Sequence, residues 1–356
     1  MKFSDKIIKW YKANKRNLPW RVTKNPYKIW LSEIILQQTR IDQGTSYYLK
    51  FVSTYPDVFT LASADEKEVL KLWQGLGYYS RARNMHKAAS IIVNKYDGNF
   101  PTHYKDIISL PGVGEYTAAA ISSIVFNEAY AVIDGNVIRV LFRIFGIQSP
   151  DTYKKDIKKI ASSLIDYHDP GTYNQAVMEF GALFCKLQNP ECSNCIFQDD
   201  CFAFKNQMVH MLPLKSNPVK QKKRYFHYLV LKINKDNIIY TLLNRRSEDD
   251  IWKNMYDFPM IEKDKKTAKA VMVNELKREF FPDVNLNPIV TKEFKHILTH
   301  QLIYARFYVL NEFDFSETEY LIKKLQQKYL LIPAESFNEY PVPRLIEKVI
   351  NETQIF

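Results

Sequence analysis

All four cysteines of the chain fall in one stretch, at Cys185, Cys192, Cys195 and Cys201, with six, two and five residues between successive members. Thiols this close together read as one set of metal ligands. Disulfides usually tie distant segments, and a chain of 356 residues can bury a core without them. The quartet therefore predicts a reduced compartment and a metal site. Zinc and iron–sulfur both accept four thiolates. Zinc sites commonly use two short pairs set apart by a longer loop. Here one tight pair, Cys192 and Cys195, is flanked by two outlying ligands in a continuous loop, which suits a [4Fe–4S] cube, with zinc as the alternative.

Three further segments could bind or react. LPGVGEYT (110–117) sits between an apolar helix and the alanine-rich AAAISSIVF. Gly112 and Gly114 permit backbone angles closed to other residues and let a ligand come close, and the N–H groups opening the next helix suit an anion such as a phosphate. A plain tight turn would look the same. In AVIDGNVIRVLFRIFG, Asp134 precedes Gly135, Asn136 and a helix, the position of an N-cap aspartate, which is compatible with a catalytic role. Glu33 lies in an apolar helix beside Ser32, Gln37 and Gln38. Such a glutamate is ordinarily solvated. Gln37, at i+4, shares its face, and a carboxyl beside amides could instead line a pocket. Burial there would keep the acid protonated near neutrality.

The elements that must position these groups form two regions. Residues 1–205 read as helical, with apolar residues at helical spacing from Tyr27 to Phe51, started by Asn25-Pro26. Further helices are predicted at Glu66–Trp73, Arg81–Tyr96, Tyr116–Phe126, Val137–Ile144, Tyr153–Tyr167 and Tyr173–Leu183. Residues 206–225 contain Pro213, Pro218 and the basic run Lys220, Lys222, Lys223 and Arg224, and read as a linker suited to phosphates. Residues 226–356 read as an α+β domain. Its expected strands are FHYLVLKI, IIYTLLNRR, Ile289–Leu298 and Leu302–Leu310, with a helix near Lys265–Phe281. The formal net charge of +11 fits a polyanion partner, nucleic acid above all, although a merely basic protein would share it. The apolar stretches are shorter than the roughly 18 residues a membrane span needs, and the charged N-terminus has no signal-like apolar core. The expectation is a cytoplasmic monomer without membrane contact.

Together these pieces resemble the iron–sulfur DNA glycosylases of the endonuclease III, or helix-hairpin-helix, superfamily. SEIILQQT (32–39), GLGYYSRAR (75–83) and VIDGNV (132–137) are similar to MutY-type adenine DNA glycosylases over residues 18 to 201, and IWKNMYDFP (251–259) and HILTHQ (296–301) extend the likeness more weakly. The resemblance implies a catalytic helix-hairpin-helix domain over 1–205 with the cluster loop at 185–201, a linker over 206–225 and a Nudix-like lesion-recognition domain over 226–356. It implies a [4Fe–4S] cluster on the four cysteines and double-stranded DNA with A:8-oxoguanine or A:G mispairs as substrate. It also implies roles: Glu33 protonates N7 of a flipped adenine, and ionised Asp134 stabilises the oxocarbenium-like sugar. Tyr116 and Asn136 support the intermediate and water. Gln175 contacts the adenine edge. Gln38 and Tyr78 wedge into the stack with Leu76 near them, and Gly112 and Gly114 hold a phosphate. The cluster loop would meet phosphates through Lys186 and Lys205.

Departures from pattern narrow the reading. Bifunctional lyases of the superfamily carry a lysine nucleophile where this chain has Tyr116, which cannot form a Schiff base, so a monofunctional enzyme using water is implied. The candidate Nudix helix has Glu275 and Glu279 without the adjacent glutamate pair of a hydrolase, implying a binding module. Many relatives carry Phe-Ser-His in the lesion-reading loop. This chain has Leu298-Thr299-His300, keeping a hydroxyl at Thr299 and losing an aromatic ring. The competing readings are a mismatch thymine glycosylase or oxidised-pyrimidine lyase, and a non-enzymatic lesion sensor.

Overall fold

The computed structural model describes residues 2–147, 153–213, 220–247, 249–282, 284, 287–353 and 355–356, with the backbone alone for 153–154 and 312–318. The chain forms two compact units, one of Met1–Ala64 with Asn84–Asn217 and one of Asp65–Arg83 with Pro218–Phe356. The segment 65–83, which the sequence places in the helical region, thus groups with the C-terminal part. Among the described residues, no helix is long and apolar enough to cross a membrane.

The first unit is built from α1 (Phe3–Asn14), α2 (Pro26–Leu36), α3 (Ile41–Thr54) and α4 (Val58–Ser63). After α5 (Glu66–Leu72), which belongs to the second unit, and α6 (Ser80–Tyr96), it continues through α7 (Tyr104–Ile108), α8 (Glu115–Phe126), α9 (Gly135–Phe145), α10 (Tyr153–Leu164), α11 (Pro170–Leu183) and α12 (Phe202–Lys205). The α2 helix starts at Pro26, where Asn25 accepts the Lys28 N–H and proline costs no internal hydrogen bond. The single periodic stretch expected from Tyr27 to Phe51 is two helices. Gln38 takes a left-handed conformation (φ 54°) and Arg40 is extended, so the chain turns between Leu36 and Ile41 although its apolar spacing runs on. The core joins α1, α9, α10 and α11 through Ile7, Tyr11, Leu141, Ile157, Val177 and Phe180.

The second unit is organised on two long parallel neighbours, β1 (Lys222–Lys235) and the strand Gln301–Asp314. Between them in sequence come β2 (Ile238–Arg245), β3 (Tyr256–Asp257), β4 (Met260–Lys263), β5 (Ile289–Val290) and β6 (Phe294–Ile297), so the long partner is β7, and β8 (Leu330–Pro333) follows it. The strand order is β3-β2-β1-β7-β5, with β4 on β1, β6 on β7 and β8 on β2. Helix α13 (Lys269–Phe280) buries Met272, Leu276 and Phe280 against Leu229, Leu231 and Leu310 of the sheet. Helices α14 (Phe315–Gln326) and α15 (Arg344–Thr353) complete the unit. Part of the expected linker, 214–219, lies outside the described residues. Its basic end is strand: Arg224 is buried in β1, paired with Asp250 and Glu262 at 2.6 Å each, and is not available to a phosphate.

Candidate active site and cysteine loop

Helix α2 is buried on nearly every side, which places a carboxyl where apolar side chains surround it. Glu33 is 8% exposed, between Ser32 and Ile34. It borders a cavity of about 430 Å³ shared with Tyr116, Asp134, Asn136 and Gln175. The cavity collects these groups from α2, the start of α8, the cap of α9 and one face of α11. Burial pushes the Glu33 carboxyl up to about 7; a hydrogen bond from Tyr116 works against that, and the nearby Asp134 adds to it. The Tyr116 hydroxyl also lies 3.5 Å from Met178 Sδ, and burial followed by the charges of Glu33 and Asp134 raises its own pKa well above the usual phenol value. Gln37, one turn on from Glu33, donates to Thr117 Oγ1 at 3.1 Å, tying the end of α2 to α8.

Asp134 is the N-cap of α9. One carboxylate oxygen accepts the Val137 N–H at 2.7 Å and the other accepts from Asn136 Nδ2 at 2.8 Å. These bonds fix the direction of the carboxylate at the start of the helix. The site thus holds two carboxyls in contrasting settings, one buried among apolar groups and one hydrogen-bonded at a helix start.

The opposite wall was not legible from motifs. Glu179, 1% exposed, receives Arg16 Nη2 at 2.6 Å and Arg21 Nη1 at 2.8 Å. Burial pushes the Glu179 carboxyl up, but the hydrogen bonds from Arg21 and Arg16 together outweigh it and hold the group at about 2. Tyr11 hydrogen-bonds Gln175 Oε1 at 3.0 Å. The only hint in the sequence was spacing: Gln175, Met178 and Glu179 share one face of α11.

At the LPGVG turn, Gly112 has φ 78°, and a Cβ there would meet Asn84 Cβ at 2.8 Å, so glycine is required. Gly114 differs from expectation. Its φ of −97° is open to any residue, and a Cβ would meet nothing within 4 Å. What it contributes is an uncluttered approach to the start of α8, where it supplies no side-chain cap. Glu115 at that start pairs with Lys158 at 2.7 Å. The wedge candidates divide. Gln38 is exposed and Tyr78 is 49% exposed, both with left-handed φ, whereas Leu76 is buried. Within the second unit, the Tyr78 hydroxyl hydrogen-bonds Thr299 Oγ1 at 2.7 Å. Thr299 and His300 are exposed on the β6–β7 turn, whose Leu298 carbonyl accepts from Gln221.

Cys185, Cys192, Cys195 and Cys201 border one small cavity, and none is in a disulfide. Among the described residues no three metal-binding side chains are grouped closely enough to hold a single ion; the four cysteines share the lining of this cavity. Donors are aimed at them: Arg143 Nη1 lies 3.5 Å from Cys185 Sγ, and the Phe197 N–H 3.4 Å from Cys195 Sγ. Burial and then the neighbouring thiols raise Cys192, and burial raises Cys195 to about 11. Four thiols lining one small cavity, with donors aimed at two of them, fit a metal cluster.

A chain of hydrogen bonds runs from this loop to the catalytic cavity. Arg139 donates to the Cys185 carbonyl at 2.8 Å and to Asn136 Oδ1 at 2.9 Å, and Asn136 in turn donates to Asp134. Gly181 allows the close approach of α11 that this needs, since a Cβ there would come within 2.7 Å of Asn136 Cβ.

The helical unit thus carries a glycine turn and, on one cavity, a capped aspartate and a buried glutamate, and the same chain carries a sheet unit. Residues 31–165 match the HhH-GPD superfamily base excision DNA repair protein family, and residues 228–352 match the NUDIX domain family. The chain is 36% identical over 306 residues to the adenine DNA glycosylase of Buchnera aphidicola subsp. Baizongia pistaciae, covering 85% of this chain and 84% of that one. A solved thermostable thymine-DNA glycosylase superposes with a TM-score of 0.54 at 29% identity, over 57% of this chain and 95% of its own. An endonuclease III trapped on DNA shares the fold, with a TM-score of 0.51 at 23% identity over 58% of this chain and 95% of its own. The chain belongs to the adenine DNA glycosylase family. It is an enzyme that hydrolyses N-glycosyl bonds, acting on adenine in base excision repair.

Proposed function

We propose that the enzyme excises adenine paired with 8-oxoguanine, or with guanine, from double-stranded DNA after flipping the base, and that it does so without lyase chemistry. The observation that carries this reading is the pairing of buried Glu33 with the capped carboxylate of Asp134 on one cavity. Adenine leaves poorly unless protonated. Glu33, held as an acid near neutrality, gives its proton to N7 of the flipped base. As the C1′–N9 bond breaks, the bonding pair goes to the base and the sugar acquires oxocarbenium character. The Asp134 carboxylate, aimed by the Val137 N–H and Asn136, stabilises that charge. Water adds to C1′ and its proton passes to the Glu33 carboxylate, which restores the acid and leaves an abasic site and free adenine. Tyr116 bonds Glu33 and offers no amine, so no Schiff base forms.

The approach of DNA fits a phosphate at the α8 start beside Gly112 and Gly114, with Gln38 and Tyr78 entering the stack and Gln175 meeting the base edge. Flipping costs a few kcal/mol, offset by such contacts. Thr299, and His300 beside it, would read the opposite 8-oxoguanine from the β6–β7 turn. Glu275 is already paired with Lys263 at 2.6 Å, consistent with a sheet unit that binds and does not hydrolyse. The four cysteines would hold a [4Fe–4S] cluster, which would fasten the 185–201 loop.

The test is a strand-cleavage panel on duplexes with A opposite 8-oxoguanine, A opposite G and T opposite G, with and without alkali. Alkali-dependent cleavage of the adenine strand, fastest opposite 8-oxoguanine, is expected. Cleavage without alkali, or on T opposite G, overturns the reading. Glu33→Gln should bind the lesion duplex and excise nothing.

A further inference from the structure

Tyr11 is buried, lies on α1, and carries none of the motifs that mark the site, yet its hydroxyl reaches into the wall of the catalytic cavity. There it meets Gln175 Oε1 at 3.0 Å. The tyrosine is itself braced. The Arg21 guanidinium lies over its ring, 5.4 Å from the centroid, and Arg21 is locked by paired hydrogen bonds to buried Glu179 at 2.8 and 2.9 Å. A side-chain amide has two faces of opposite character, a carbonyl that accepts and an NH₂ that donates, and is free to turn unless one end is held. Here the carbonyl end is the held one.

We infer that Tyr11 is a positioning residue which fixes the Gln175 amide so that it presents N–H donors, not its carbonyl, to the base in the cavity. The phenol hydrogen goes to Oε1, and Nε2 is left for the base. Adenine offers ring-nitrogen acceptors along its edges. A purine with an N–H where adenine has an acceptor, such as hypoxanthine at N1, would meet donor against donor. Tyr11 therefore contributes to base choice without touching the base. The inference rests on the proposed contact between Gln175 and adenine. It adds that the orientation of this contact is set from α1. A phenol raised by burial stays neutral across the working pH range and keeps its donor.

The experiment is a double-mutant cycle of Tyr11→Phe and Gln175→Ala, measured as single-turnover excision of adenine and of hypoxanthine placed opposite 8-oxoguanine, with melting temperature and duplex affinity as controls. Tyr11→Phe should slow adenine excision roughly 5-fold, the equivalent of one net hydrogen bond of about 1 kcal/mol. It should slow hypoxanthine excision less, so that the hypoxanthine-to-adenine ratio rises. In the Gln175→Ala background it should change neither rate, because there is no amide left to orient. An equal slowing of both bases, or the same factor in both backgrounds, overturns the inference while leaving Gln175 a base contact. Wild-type excision by Gln175→Ala removes the contact itself, and the inference with it.

Discussion

Arg139 donates to Asn136 Oδ1 at 2.9 Å while its Nε holds the carbonyl of Cys185, so one guanidinium joins the cysteine loop to the group that orients Asp134. The link is mechanical. The proposed mechanism needs Asp134 correctly aimed, and its second oxygen depends on Asn136, whose own amide is held by Arg139. Truncation to Arg139→Ala leaves Asn136 free to turn and the Cys185 carbonyl without this donor. Hydrogen bonds to charged groups contribute about 1.5–3 kcal/mol, so excision should fall by roughly 10- to 100-fold. Iron content and loop resistance to proteolysis should fall with it. Normal excision together with full iron loading would show the link to be incidental.

Glu33 makes a prediction with two opposite signs. Its carboxyl is raised to about 7 by burial first, and the proposed mechanism needs the protonated form, so the rate should decline as pH rises through about 7. For stability, the folded state holds this proton more tightly than the unfolded chain. The folded state therefore loses stability as pH rises from the ordinary carboxylate value through about 7, by an order of about 3 kcal/mol for this nearly buried group. Glu33→Gln should abolish excision yet melt higher than the natural enzyme at pH 8, with little difference at pH 4. A variant that melts lower at pH 8 would contradict the burial argument, whatever its activity.

Tyr116 restrains that same carboxyl, since its hydrogen bond holds Glu33 below where burial alone would put it. Tyr116→Phe should therefore move the alkaline limb of the pH–rate profile upward while lowering the plateau. An unmoved limb would mean the hydroxyl acts elsewhere. The natural enzyme should give no covalent complex with abasic DNA under borohydride. Efficient trapping would sink the monofunctional assignment.

What the sequence made legible follows a physical division. Motifs carried by local sequence, such as the Asn25-Pro26 start, the Asp134 cap and the α+β character of the C-terminal region, depend on a few adjacent residues and could be read directly. The turn at Gln38 could not, because the apolar spacing of α2 continues in phase into α3 and only a left-handed backbone separates them. Arg224 looked like part of a basic tail, and its pairing with Asp250 and Glu262 joins residues 26 and 38 positions apart. The Arg16–Arg21–Glu179 wall and the Tyr11–Gln175 bond span more than 150 positions, and nothing local marks them. The site residues that stood out were those whose neighbours in sequence are also neighbours in space.

The hydrogen bond between Tyr78 and Thr299 supplies the last prediction. Thr299 stands in the proposed reading turn with its hydroxyl already engaged, and Tyr78 is a wedge candidate in a left-handed conformation. With Thr299 as the donor of this bond, a lesion that takes up its hydroxyl hydrogen competes with Tyr78 for it. Thr299→Ala should lower the preference for 8-oxoguanine over guanine opposite adenine by removing the reading hydroxyl. Tyr78→Phe frees that hydroxyl and should keep the preference while weakening duplex binding only modestly. The two variants thus separate reading from wedging: selectivity falls in one and not in the other. If Thr299→Ala leaves the ratio of excision rates on the two duplexes unchanged, Thr299 is not the reader. If Tyr78→Phe collapses the ratio as far as Thr299→Ala does, the hydroxyl pair reads the lesion as one unit, and the competition argued here is wrong.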